Sequence, residues 1–191
     1  MKRSVWLALV SVHALVAAVA ACSAVPADAR IGILAPDDSE QGFGPVADYL
    51  DHRCGSLDCH GQTSRNFRVW GCEGMRLSPT DVPQCSRNLG GTATTPDEHQ
   101  ATYRSLVALE PAVMSAVVAG HGAHPELLTF VRKARGIESH KGGSLITPGD
   151  FQDRCITSWL AGQTDLDEAG VSSCRSAISF PTFPGLDAST E

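Results

Sequence analysis

Apolar residues are distributed along this chain in two ways. Near the start they form one block, Val5 to Ala21, interrupted only by Ser11 and His13 and preceded by Lys2 and Arg3. From residue 43 onward they recur at three- and four-residue intervals in short stretches divided by glycine and proline, the pattern of amphipathic helices. In "GFGPVADYLDHRC" the stripe is Phe43, Val46, Tyr49 and Leu50, with Pro45 suited to a first helical turn, and the helix runs directly into Cys54. In "TPDEHQATYRSLVALEPAVMSAVVAG" Thr95 can cap, Pro96 fits the first position, and Asp97 and Glu98 suit the positive helix end. Tyr103, Leu106 and Val107 form its stripe, and Pro111 starts a shorter helix ending at Gly120. "HPELLTFVRKARG" reads as a helix from Pro125 to near Gly136 that carries Leu127, Leu128 and Val131 inward. The last is "GDFQDRCITSWLAG", capped by Asp150, striped by Phe151, Cys155, Trp159 and Leu160, and ended by Gly162. Residues 65–95 carry few apolar side chains and many turn formers, a long irregular region. No stretch alternates as a strand would, and no repeat recurs. The pattern predicts a mostly α single domain with long irregular loops.

The leading block has the length and flanks of an export signal covering residues 1–21. Val19-Ala20-Ala21-Cys22 abuts it and resembles the bacterial lipobox, which makes Cys22 the expected lipidation site and new N-terminus. The competing site is cleavage after Ala27-Asp28-Ala29, which leaves no anchor. Residues 22–42, rich in Ala, Pro, Asp, Ser and Gly, read as a flexible tether, residues 43–163 as the domain, and residues 164–191 as a C-terminal tail. A lipid anchor would hold the domain at a membrane in the cell envelope, facing the periplasm or the cell surface. The whole chain carries a net charge of −6, and losing Lys2 and Arg3 with the signal takes it to −8. Nucleic acid is therefore not an expected partner.

An even count of six cysteines follows Cys22, at 54, 59, 72, 85, 155 and 174. In an exported chain these read first as disulfides. Cys72 with Cys85, and Cys155 with Cys174, each lie within one local segment and are the expected bridges. That leaves "CGSLDCHG", where Cys54 and Cys59 precede His60. Two cysteines followed at once by histidine are the attachment signature of haem c: two thioethers, with the histidine as an axial iron ligand. The usual spacing puts two residues between the cysteines, and four intervene here. The same residues could instead close a small disulfide loop followed by a solvated histidine. A zinc site built on Cys54, Cys59 and His60 would need a second ligand pair that the sequence does not offer. His121 and His124, beside Gly120 and Pro125, read as a solvated connection.

The order of helix, Cys-Cys-His-Gly, irregular loops, short helices and a final helix bearing Trp159 resembles the class I c-type cytochrome domain. The stretch "LLTFVRKARGIESHKGGSLITPGDFQDRCITSWLAG" is similar to the C-terminal half of such domains in exported bacterial lipoproteins. The resemblance spans roughly residues 43–163; it departs in the four-residue spacing and in lacking a methionine just before the last helix. It implies a cytochrome-c-like fold whose end helices pack together at one haem edge. The cofactor it implies is haem c on Cys54, Cys59 and His60. The second axial ligand would come from the segment ahead of the last helix, where His140 stands; Met75, Met114, His121 and His124 are the other candidates. His60 and His140 would be the metal ligands; Arg132, Lys133, Arg135 and Lys141 read as a solvated basic face or, alternatively, as partners for the haem carboxylates. The function implied is an electron carrier, not a catalyst, with redox proteins of the cell envelope as partners. Two alternatives stay open: a haem-free lipoprotein stapled by disulfides that binds or supports, and an oxidase- or peroxidase-like accessory.

Overall fold

Proline and capping side chains start the helices where the sequence places them. The computed structural model describes residues 32–83, 90–163 and 172–179. Helix α1 spans Gly44–Cys54 with Pro45 in its first turn. Helix α2, Pro96–Val107, opens with a capping box: the Thr95 hydroxyl accepts from the Glu98 amide and the Glu98 carboxylate from the Thr95 amide. Helix α3 is Pro111–Ala119, with Met114 and Val117 buried. Helix α5, Phe151–Leu160, is capped by the Asp150 carboxylate, which accepts from the Asp153 amide, and Gly162 follows at φ +65°. Among the described residues no strand forms, and an isolated bridge joins Trp70 and Met75.

One predicted helix is broken. Pro125–Leu127 is a 3₁₀ turn and helix α4 covers only Thr129–Ala134, with Leu128 extended between them. The break has a packing cause. Glu110 receives the Thr129 amide and hydroxyl at 2.7 and 2.9 Å, capping α4 from another segment. Leu128 and Val131 are thereby buried while Leu127 stays 52% exposed, against the expectation that all three point inward.

Two segments expected to be loose are docked. Within residues 34–42, read as part of a tether, the Pro36 carbonyl accepts from the Tyr103 hydroxyl at 2.7 Å and the Asp37 carbonyl from the Trp159 indole at 2.8 Å. Within the predicted tail, Ser173–Ser179 forms helix α6, with Cys174 and Ala177 fully buried. The expected Cys155–Cys174 disulfide is present and fastens α6 to α5. Cys85 lies outside the described residues, as do Cys22 and the predicted signal; Cys72 is buried.

Helix α1 packs on α2, α5 and α6, so the first helix of the domain meets its last two. Phe43, Tyr103 and Trp159 lock the junction, with ring centroids 5.0 to 6.3 Å apart. These three rings, each a large apolar surface with a preferred tilted contact, tie the start of α1 to α2 and α5. Among the described residues no helix is long and apolar enough to cross a membrane.

Candidate functional site

Helix α1 ends at Cys54, and the chain then turns back tightly on itself. The Cys59 amide donates to the Ser56 carbonyl, and the His60 amide to the Cys54 carbonyl, each at 2.9 Å. The turn is possible because Gly55, Gly61 and Gly74 meet backbone to backbone: a Cβ on Gly61 or on Gly74 would run into the Gly55 carbonyl oxygen. Arg65 clasps it from outside, its guanidinium donating to the Cys59 and Asp58 carbonyls at 2.9 and 3.2 Å.

This turn delivers His60 to the wall of a cavity of about 440 Å³, within the roughly 300–1,000 Å³ usual for a cofactor site. Tyr49, Leu50 and Cys54 come from α1, Phe67 from the following loop, Phe130, Lys133 and Ala134 from α4, and Ile156 from α5. His140 and Leu145 close it from the α4–α5 connection, and Arg65 and Leu109 also line it. The lining is mostly apolar, with a few polar groups that converge.

Two of those are imidazoles. The rings of His60 and His140 stand 5.9 Å apart between centroids, with their planes 19° from parallel. His60 Nδ1 is 2.9 Å from the Phe67 carbonyl oxygen, and His140 Nδ1 is 3.4 Å from that of Gly143. Each carbonyl can take the proton of its Nδ1, which leaves Nε2 of both rings as a lone-pair donor, the tautomer that backbone carbonyls commonly fix in metal-ligating histidines. Burial lowers the His60 pKa, and His140 and Arg65 nearby add to the lowering against the Phe67 hydrogen bond. The lowered pKa favours the neutral ring.

The cysteines are placed unequally. Cys54 lines the cavity and burial pushes its thiol up to about 12. Cys59 is exposed and does not line it; the two are not bonded to each other. The Tyr49 side chain, 2% exposed, reaches the cavity with no protein acceptor for its hydroxyl among the described residues, and burial raises its pKa.

The other candidates go elsewhere. Met114 is in the core, Met75 is in the loop bridge, and His121 and His124 are exposed on left-handed backbone; none lines the cavity. Of the basic cluster only Lys133 lines it. Arg132 and Lys133 pair with Glu138 at 3.1 and 2.7 Å, and Arg135 pairs with Asp153 at 2.8 Å. Lys141 is exposed. Arg65 and Tyr49, with Ser64, Asn66 and Thr129, are polar lining groups that the sequence pattern does not reveal; an arginine in a loop carries no periodicity, and Tyr49 falls in the apolar stripe of α1. Among the described residues no three His, Cys, Asp or Glu side chains gather as a metal-ligand group.

Compared with family models, with curated proteins and with solved structures, the chain matches none.

Proposed function

We propose that this chain is a monohaem c-type cytochrome, tethered to a membrane through Cys22, that carries single electrons in the cell envelope. The observation that carries the reading is the facing of His60 and His140 across one mostly apolar cavity that Cys54 also lines. When bound, haem c supplies a one-electron iron couple whose potential depends on ligands, burial and hydrogen bonding.

The residues present fit that group. Cys54 and Cys59 would carry the thioethers, the exposed Cys59 by turning its side chain inward. His60 and His140 would offer imidazole nitrogens to the iron. The haem carboxylates would take donors from Tyr49, Arg65 and Lys133, which line the cavity; Arg132 and Arg135 do not line it. Leu50, Phe67, Phe130, Leu145 and Ile156 would exclude water from the ring and so favour the less charged redox state. The proposal includes redox partner proteins in the envelope and a second bridge, Cys72–Cys85.

The test is expression with a c-type haem maturation system. One haem should add to the mass, survive acid-acetone extraction, and be lost when both Cys54 and Cys59 are changed to serine. A colourless protein with a Cys54–Cys59 disulfide would establish the haem-free module instead. Separately, Cys22→Ser should release the protein from the membrane fraction; unchanged fractionation would remove the anchor from the proposal.

A further inference from the structure

Beside the haem cavity, and sharing Asn66 and Leu109 with it, a second and shallower hollow of about 680 Å³ runs between residues 66–70 and the outer face of α2. Its walls are built by two hydrogen bonds from the loop backbone to the helix: the Arg68 amide donates to the Ser105 hydroxyl at 2.7 Å, and the Trp70 amide to the Thr102 hydroxyl at 3.0 Å. These bonds hold the backbone of Arg68 and Trp70 against α2, where Arg104 lines the same hollow. Arg68 donates its Nε to the Arg65 carbonyl at 3.0 Å, and its two terminal nitrogens have no partner among the described residues. The Arg104 guanidinium and the Trp70 indole N–H have no partner among the described residues. None of the eight residues lining the hollow is acidic, in a chain of net charge −6.

We infer that this hollow is a docking surface for an acidic segment of a partner protein. Charge complementarity identifies the occupant. Two exposed guanidiniums and an indole lining one hollow offer forked donors that match carboxylates, together with an apolar ring. Arginine and tryptophan are the side chains that most often anchor protein interfaces. The openness of the hollow suits a protein surface better than a small molecule, which needs enclosure over most of its area. Against a background of like charge, this positive hollow would also orient an acidic partner before contact, an effect that salt weakens. That the partner exchanges electrons rests on the haem reading, and the shared walls at Asn66 and Leu109 put the docked segment next to the cavity.

The test is a titration of the mature chain with a synthetic peptide of glutamates and glycines, at low salt and again above about 0.15 M ionic strength. The Trp70 indole resonance should shift on binding, and affinity should fall as salt rises. Arg68→Glu/Arg104→Glu should weaken binding roughly tenfold or more, and the milder Arg68→Gln/Arg104→Gln should give a smaller loss in the same direction. Lys141→Glu, away from the hollow, should leave it unchanged. Equal binding by the arginine variants, or shifts that avoid Trp70, would overturn the inference, as would a preference for an oligolysine peptide. Haem content is measured separately by mass. A haem-free chain that still binds at Arg68 and Arg104 keeps the docking surface and removes only the electron carrier.

Discussion

Arg76 and Glu98 form a buried two-point fork: Nε donates to Oε1 at 2.8 Å and Nη2 to Oε2 at 2.9 Å, with the side chains 5% and 0% exposed. The pair joins the irregular region, which has few apolar side chains of its own, to the start of α2. The same carboxylate accepts the Leu77 and Thr95 amides, and Arg76 also donates to the Val82 and Ala93 carbonyls. A charge so deep is tolerable only because every oxygen is engaged.

Glu98→Gln should therefore destabilise the domain by about 3–5 kcal/mol, the usual cost of leaving a buried charge unpaired. Denaturant unfolding would measure it. Burial pushes the Glu98 pKa up, but its hydrogen bonds from Arg76, Thr95 and Leu77 outweigh this and the net shift is downward from 4.5. A depressed carboxyl pKa contributes stability that is complete above 4.5 and is lost as pH falls through the lower folded value. The acid limb of the stability curve should shrink in Glu98→Gln; an unaltered limb would remove this role.

His99 should give the opposite pH dependence. Its Nδ1 lies 2.8 Å from Glu40 and its Nε2 3.0 Å from Asp48, so the imidazolium clamps residues 34–43 and α1 to α2. Burial lowers its pKa, but the two carboxylates outweigh this and the net shift is upward from 6.5. The stabilisation is fully present below pH 6.5 and is lost as pH rises through the raised value. Both carboxylates are about half exposed, so the effect should be about 1 kcal/mol. His60, whose pKa is lowered, acts in the other direction, so the difference between wild type and His99→Phe isolates the clamp. A difference that does not change with pH would contradict it.

How much of this was legible from sequence depends on where the information sits. Helices α1, α2, α3 and α5 announce themselves through Pro45, Thr95, Pro111 and Asp150, side chains that act within a few residues of the backbone they organise. The docking of residues 34–42 could not be read, because its acceptors are the Pro36 and Asp37 carbonyls, which every sequence has. Helix α6 was hidden for another reason. Seven residues with three serines have little helical preference alone, and the helix is held by burial of Ala177 and by Cys174, whose bridge to Cys155 was predicted while its structural consequence was not. At the site, the Cys-Cys-His motif pointed to Cys54 and His60, and the family resemblance pointed to His140. Arg65 needed the folded turn around Gly61 to reveal what it touches.

Reducing that bridge should expose the dependence of α6 on it. Cys155 and Cys174 are 19 residues apart, and closing such a loop is worth roughly 3 kcal/mol in the chain-entropy model. Cys155→Ala/Cys174→Ala should lower stability by about that amount. Hydrogen exchange should show α6 opening before α1 and α5, whose contacts with each other and with α2 remain. Uniform protection across the three helices would mean that packing alone holds α6.

The last prediction separates the two histidines. In the proposed cytochrome His60 is tied to the attachment turn, since its amide and its Nδ1 are both held, by Cys54 and Phe67. His140 is held less firmly: its Nδ1 contact is 3.4 Å, and it stands in a turn closed by the Gly143 amide on the His140 carbonyl at 2.9 Å, with Gly143 at φ +75°. His140→Ala should therefore leave the haem covalently attached and convert a low-spin spectrum to a high-spin or water-ligated one. His140→Met should restore a low-spin form and raise the potential, because thioether ligation favours the reduced iron. His60→Ala should lose far more, since it removes the ligand that the attachment turn positions. Potentiometry and the visible spectrum of the three variants read this directly. A low-spin spectrum that persists in His140→Ala but changes in Met75→Ala would transfer the second ligand to Met75 and require the loop at Trp70 and Met75 to move onto the cavity.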